Sequence, residues 1–301
     1  MTIGHNPSQA SLVGVLCVAV AAIAFSAKAV IIKIAYAYPV DAVTLLALRM
    51  SFSAPFFIAM ALWAGRGGAS LNRDDWKTLL LLGFLGYYLA SYLDFLGLQY
   101  VTASFERLIL FLYPTLVLLL SAWMLNTSIR RHHVAALILS YCGIVLVFFE
   151  NLGFADDPRQ VAVGGTLIFL SGAAYAVYLI GAGGIIAKLG ATRFTAYAML
   201  IACLICIAQF LLTHRADALR LPAQVYWLSL LMAVVSTVLP AWLMAEGIRR
   251  IGAYRAAMIG AIGPVATIFL AWWILSEPVT LVQLGGAALV LGGVLLISLR
   301  K

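Results

Sequence analysis

Charge is what this sequence has least of. Among its 301 residues only 10% are Asp, Glu, Lys or Arg, 19 basic and 11 acidic, where a water-soluble globule carries roughly 25%. So few ionic side chains cannot solvate the surface of a chain this long, which excludes a soluble enzyme or soluble binding domain. Histidine is scarce too: His5, His132, His133 and His214 all fall in a terminus or between apolar stretches. With no His-Glu-x-x-His and no Gly-x-Ser-x-Gly spacing, the chain lacks the set that an intramembrane enzyme needs. Its four cysteines, Cys17, Cys142, Cys203 and Cys206, sit inside apolar runs, which argues against a disulfide framework. Cys203 and Cys206 have the spacing of a metal pair, but apolar residues surround them, so no metal and no cofactor is expected. The first ten residues contain no Lys or Arg, so no cleavable signal peptide is expected either. No loop concentrates the net charge of +8 as a nucleic-acid-binding face would. In a membrane chain such an excess records orientation.

What the chain has in abundance is hydrophobicity: 64% of residues are apolar and the mean hydropathy is +1.06. Apolar segments run over about 11–36, 41–64, 76–97, 101–124, 133–150, 161–187, 193–213, 223–248, 254–275 and 279–299. Each is near the ~20 residues that cross a bilayer as a helix, and lipid leaves bare backbone groups no partner, so strands are excluded. The expected fold is an all-α membrane protein of ten transmembrane helices embedded in a lipid bilayer. Its weakest boundary is Leu98-Gln99-Tyr100, between the third and fourth segments. Connections after even-numbered segments, with the C-terminus, hold twelve basic residues, among them Arg66, Arg130, Arg131, Arg249, Arg250, Arg300 and Lys301. Connections after odd-numbered segments hold only Arg159, Arg215 and Arg220. That asymmetry puts both termini in the cytoplasm.

The halves 1–150 and 151–301 repeat at an offset of 150 residues. Gly14 pairs with Gly164, Gly97 with Gly247, Pro114 with Pro264, Trp123 with Trp273 and Gly143 with Gly293. Five segments per half is an odd number, so the second half enters from the opposite side. Two inverted five-helix repeats follow, the architecture of alternating-access carriers.

Several motifs sit in this frame. In the first half Gly97-Leu98-Gln99-Tyr100-Val101-Thr102-Ala103-Ser104 leads to Tyr113-Pro114. In the second, Gly247-Ile248 and Gly252-Ala253 lead to Gly263-Pro264, then Ser276-Glu277-Pro278, with Gly285-Gly286-Ala287 and Leu291-Gly292-Gly293-Val294 closing the chain. With five-plus-five segments, the sequence resembles the drug/metabolite transporter superfamily in its EamA-type ten-helix branch. Within it, bacterial amino-acid exporters of the YddG type are the nearest suggestion. The resemblance implies a secondary-type carrier exporting a small-molecule substrate, amino acids including aromatic ones being the leading class. Thr127 stands where the second half has Glu277, and the first half carries unusual intramembrane charges.

Those charges are Lys28, Lys33, Arg49, Asp94, Glu106 and Arg107, each costing about 2.5–3.5 kcal/mol at mid-membrane. Their counterparts 150 residues on, for example Met244, Ala256 and Ala257, are uncharged, so the charges are an addition to the fold. They read either as an ion-pair network closing the outer side or as a site that meets a solute carboxylate through its cations. Counted depth makes an Asp94–Arg107 bond feasible, and Asp94 and Glu106 are the candidates for proton coupling. Lys28 and Lys33, about 140° apart on a helix, should not share one cavity. Helical spacing places Tyr87, Ser91 and Asp94 on one face with Tyr88 beside it, Arg107 with Phe111, and Tyr175 with Tyr178. Lys28 aligns with Tyr178 through the repeat, and Trp242 is a further aromatic candidate. Pro114 and Pro264 each free a carbonyl one turn upstream and are the candidate hinges. The competing readings are efflux of organic cations drawn by Asp94 and Glu106, a channel, or an intramembrane enzyme. A channel would show rings of like charge or a carbonyl filter, and neither is visible.

Overall fold

Because lipid offers the backbone nothing, helices account for almost all of the chain. A computed structural model describes residues 7–65, 70–126, 128–154 and 156–299; Arg66, Thr127, Arg300 and Lys301 lie outside them. In chain order the helices are α1 Pro7–Ala35, α2 Ala42–Gly65, α3 Arg73–Gly97, α4 Ala103–Leu125, α5 Arg131–Phe154, α6 Pro158–Leu189, α7 Ala191–Thr213, α8 Ala223–Gly252, α9 Met258–Leu275 and α10 Leu281–Leu299. Among the described residues nine helices have the length and hydropathy of a membrane crossing, with the shorter apolar stretch Leu281–Ile297 as the tenth. The protein is a multi-pass membrane protein. Its outer girdle is correspondingly greasy: Trp63, Trp123, Trp227, Trp273 and Leu212 are all more than two thirds exposed.

Caps, more than hydropathy, set the helix ends. The boundary at Leu98-Gln99-Tyr100 is a tight turn, after which Thr102 caps α4 by accepting from the Phe105 amide at 3.2 Å. Helix α6 begins at Pro158 behind an Asp157 cap and runs 32 residues to Gly190, about 48 Å against a core of about 30 Å. It therefore extends beyond the apolar segment that marks it in the sequence.

The 150-residue offset governs the geometry as well as the letters. Asn126 and Ser276, 150 apart, end α4 and α9 in the left-handed conformation (φ 52° and 56°). Thr102 caps α4, and at the equivalent place Gly252 (φ 80°, ψ 157°) turns the chain between α8 and α9. Two π-helical turns, Phe84–Leu89 in α3 and Val234–Val238 in α8, are also in register. Pairing obeys the same rule: α3 crosses α6 as α8 crosses α1, α4 meets α6 as α9 meets α1, while α2–α7 and α5–α10 straddle the axis. At the first crossing a Cβ on Gly97 would lie 2.9 Å from the Gly164 carbonyl, and at its mate a Cβ on Gly247 would lie 3.2 Å from that of Gly14. The two inverted five-helix repeats are thus built on backbone-to-backbone approaches that only glycine permits.

Helices α4 and α9 are each broken in mid-course. The Leu112 amide turns to the Ile109 carbonyl at 3.0 Å, and the Ile262 amide to that of Ile259 at 3.1 Å. Pro114 and Pro264 stand at the first turn of the segments that follow, Tyr113–Leu125 and Gly263–Leu275. Proline fits there because it has no amide to lose.

The α5–α10 contact supplies a test with its own control. A Cβ on Gly286 would meet the Val147 side chain at 2.2 Å and the Gly143 carbonyl at 2.8 Å, whereas one on Gly285 meets nothing within 4 Å. Gly286→Ala should destabilise by about 1–3 kcal/mol and lower the thermal unfolding midpoint in detergent, while Gly285→Ala leaves it in place. Equal midpoints would show that α5 and α10 are not held at this distance.

Candidate functional site

Two polar clusters lie on the shared faces of α3 and α4. The first is ionic. Lys28 of α1 donates to Asp94 Oδ2 of α3 at 2.6 Å and stands 3.5 Å from Glu106 Oε1 of α4. Asp94 and Glu106 are completely enclosed, and Lys28 keeps 16% of its side-chain exposure. Burial on this scale removes the hydration of three charges, and the lysine is the compensation the two carboxylates receive. Neither Glu106 oxygen accepts a hydrogen bond, nor does Asp94 Oδ1.

The Asp94–Arg107 bond that depth counting allows is not made. Arg107 points instead to α9 and α1, donating to Thr267 Oγ1 at 2.9 Å and to the Phe25 carbonyl at 2.6 Å. Depth sets only the height of a side chain; its partner is set by which helix packs beside it, and here α1 brings Lys28 to the acids. Lys33, five residues on, meets carbonyls in the turn that joins α3 to α4, Val101 at 3.0 Å and Leu98 at 3.2 Å. Arg49 is buried elsewhere, bonded to Thr237 Oγ1 at 3.0 Å with its guanidinium over the Phe95 ring. The cationic surplus seen in the sequence is therefore dispersed, and the Lys28 cluster itself is rich in acid.

The second cluster is aromatic. The Tyr87 and Tyr178 hydroxyls share a hydrogen bond of 2.9 Å with their rings edge to face. Tyr175 stacks on Tyr178, Tyr113 meets Tyr175 edge-on, and Phe194 of α7 closes the far side. A Cβ on Gly86 would fall 2.2 Å from Tyr178 Cγ, so the π-helical turn of α3 leaves the space that the Tyr178 ring fills. Tyr87 lies seven residues before Asp94, and Tyr113 seven after Glu106, about 10 Å along each helix. Phe111 is at the edge of this group, against Tyr113. Ser91 lies between the clusters, half-buried. Tyr88 turns away to stack with Tyr92, and Trp242 is 63% exposed on the outer surface of α8, in contact with neither cluster.

Three residues the sequence did not single out hold the arrangement together. Thr267 bridges Arg107 to the Gly263 carbonyl, and Ser26 ties α1 to that carbonyl at 2.8 Å. Glu277, noted only as part of a motif, reaches across to the start of α4. There it accepts from the Ala103 amide (2.8 Å), the Ser104 amide (3.2 Å) and the Ser104 hydroxyl (2.8 Å). An anion at a helix N-terminus is stabilised by the unpaired amides. On the opposite face Lys188 of α6 meets Asp75 of α3 at 2.5 Å, below the tyrosines. Among the described residues no group of His, Cys, Asp and Glu could hold a metal ion.

Residues 12–149 and again 162–299 match the EamA-like transporter family, two matches offset by 150 residues. The chain is 31% identical over 296 residues to an uncharacterized transporter of Bacillus subtilis, YcbK, covering 93% of this chain and 92% of that protein. It is 23% identical to a second one from that organism, YetK, covering 84% of this chain and 77% of that one. A solved crystal structure superposes with a TM-score of 0.61 over 98% of this chain and 99% of its own at 19% identity, a likeness of fold.

The lysine is the element most exposed to test. Lys28→Met leaves two enclosed carboxylates without their cation, and breaking a buried pair costs about 3–5 kcal/mol. The thermal midpoint at neutral pH should fall sharply, and Asp94→Asn added to Lys28→Met should return part of the loss. A Lys28→Met midpoint equal to wild type would show that the cluster contributes nothing to stability.

Proposed function

The chain belongs to the EamA-like transporter family, and on that premise we propose that it is a secondary-type carrier exporting small amphipathic metabolites by alternating access. Amino acids, aromatic ones included, are the leading substrate class. The observation that carries this reading is the spacing of the two clusters. The acid-rich cluster of Lys28, Asp94 and Glu106, with Arg107 next to it on α4 but turned to Thr267 and the Phe25 carbonyl, stands about 10 Å along α3 and α4 from a wall of Tyr87, Tyr113, Tyr175 and Tyr178. A zwitterion with a large apolar side chain is complementary to both: its ammonium and carboxylate suit the first and its ring suits the second. The basic residues support cytoplasmic termini in an inner membrane, which puts the ionic cluster nearer the outside and the Lys188–Asp75 pair nearer the cytoplasm. In this reading the halves 1–150 and 151–301 rock against each other, and Pro114 and Pro264 lie at the breaks where α4 and α9 bend.

A second reading, efflux of organic cations, draws on the Asp94 and Glu106 oxygens that lack hydrogen-bond donors. A cation without a carboxylate would satisfy them and leave Lys28 and Arg107 as they are.

Purified protein in liposomes should show saturable counterflow of labelled phenylalanine. Tyr178→Ala should raise the half-saturation concentration for phenylalanine about 2- to 10-fold, the worth of one aromatic contact, and change that for alanine little. Linear, conductance-like flux would point to a channel, and counterflow of cationic dyes without that of amino acids would select the second reading. Replacing Pro114 and Pro264 together with Ala restores two backbone donors. Turnover should drop several-fold with the fold intact by circular dichroism, and an undiminished turnover would make both breaks static.

A further inference from the structure

Glu106 is enclosed completely beside the Asp94 carboxyl, which lies within hydrogen-bonding range of it, yet neither of its oxygens receives a hydrogen bond from an N–H or hydroxyl donor. Every charged group that could serve it has another commitment. From α1, Lys28 donates to Asp94 and approaches Glu106 only to 3.5 Å, and Lys33 is held by two carbonyls. From α2, Arg49 faces Asp94 and is bonded through Nε to Thr237, its Nη1 having no partner; on α4, Arg107 is bonded to Thr267 and the Phe25 carbonyl. Beyond α9, Glu277 caps α4. On α6 and α8, Lys188 and the Glu246–Arg249–Arg250 set form their own ion pairs near the C-terminal ends of their helices, and Arg159 is exposed. Tyr36, the remaining titratable neighbour of Asp94, donates to the Phe95 carbonyl.

A carboxylate that has only a share of one lysine, itself bonded to Asp94, is costly in such a place. Three things relieve it: Lys28 moving across from Asp94, a proton, which the neighbouring Asp94 carboxyl can share, or an ammonium brought by a solute. They exclude one another on a single carboxyl group. We propose that Glu106 is the exchange site at which a proton and the ammonium group of the substrate compete, so that export of an amine is coupled to proton entry. This rests on the carrier reading. On the cytoplasmic side the protonated carboxyl releases H⁺ to water as R–NH₃⁺ takes its place. Outside, the reverse step releases R–NH₃⁺ and takes up one H⁺. Lys28 stays with Asp94, so that pair remains neutral throughout. The unloaded, deprotonated form is the one left with a buried charge, and its cost keeps the carrier from returning empty. Coupling follows from desolvation and needs no moving gate residue.

The test uses the full chain with phenylethylamine, which has an ammonium and a ring but no carboxylate, and N-acetylphenylalanine, which lacks the ammonium. Binding of phenylethylamine to the detergent-purified protein in weakly buffered solution should release one proton per ligand, read with a pH indicator. Its half-saturation concentration should rise about tenfold for each unit that the pH falls once the carboxyl is mostly protonated. In liposomes an imposed proton gradient should drive its accumulation. Glu106→Gln should abolish both proton release and gradient-driven accumulation, and Glu106→Asp should retain both with a displaced pH profile, which separates a coupling role from loss of the fold. N-acetylphenylalanine should release no proton. Counterflow of phenylalanine with no proton release by either amine, or gradient-driven uptake surviving in Glu106→Gln, would overturn the proposal and leave the carrier reading standing. Absence of counterflow for every probe in the wild-type protein would instead remove the carrier reading.

Discussion

Backbone polar groups in a bilayer have no solvent to turn to, and most of this structure follows from that constraint. It forces helices along the length of the chain and makes each interruption a place where something else must satisfy the freed groups. The break between α3 and α4 is served by Lys33, which donates to Leu98 and Val101, and by Glu277, which accepts from Ala103 and Ser104. The breaks within α4 and α9 fall at Pro114 and Pro264, where an amide is missing from the outset. Even the helix crossings obey it, because apolar side chains gain little from one another in lipid and glycine contacts bring the helices close enough for dispersion to act.

The same constraint explains why the ionic residues do not spread around the pseudo-twofold axis. A buried charge must be compensated where it stands. Lys28, Asp94 and Glu106 form one group, while the aligned positions Tyr178, Met244 and Ala256 carry none. Symmetry is kept by the backbone, in paired left-handed caps, paired π-helical turns and paired crossings, and broken by the side chains. The first half presents the charges together with Tyr87 and Tyr113, and the second presents only aromatic rings, Tyr175, Tyr178 and Phe194. A symmetric scaffold can thus present two chemically different ends to one amphipathic solute.

The helices, their number and their inverted repetition were legible because hydropathy and the 150-residue offset are properties of the chain read linearly. Lys28, Asp94, Glu106 and Arg107 stood out for a similar reason, since any charge in an apolar run is conspicuous. Their partners were not legible. Asp94 and Arg107 lie at similar depths on adjacent helices, yet Lys28 of α1 intervenes, and periodicity carries no record of the order of helices around a bundle. Thr267 and Ser26 were invisible because a lone hydroxyl in an apolar segment is commonplace. The tyrosines were half legible: spacing put Tyr87 near the face of Asp94, but the meeting of Tyr87 with Tyr178 depends on the approach of α6 at Gly86. Nothing in Phe84–Leu89 or Val234–Val238 announces a π-helical turn.

Those two turns also bear on how the sequence can change over time. A π-helical turn holds one residue more than the α-helical turn it replaces, so everything beyond it is rotated by about 100° relative to an uninterrupted helix. In α3 the residues displaced in this way include Asp94. Loss of one residue anywhere in 84–89 would swing Asp94 from Lys28 toward a different neighbour, although no letter outside the turn had altered. Exchange of one apolar residue for another at Phe84 or Leu85, which keeps the count, would not. Apart from Gly86, Tyr87 and Thr237, which meet Tyr178 and Arg49, the quantity preserved in these stretches is a number of residues, so drift there should be free in spelling and strict in length.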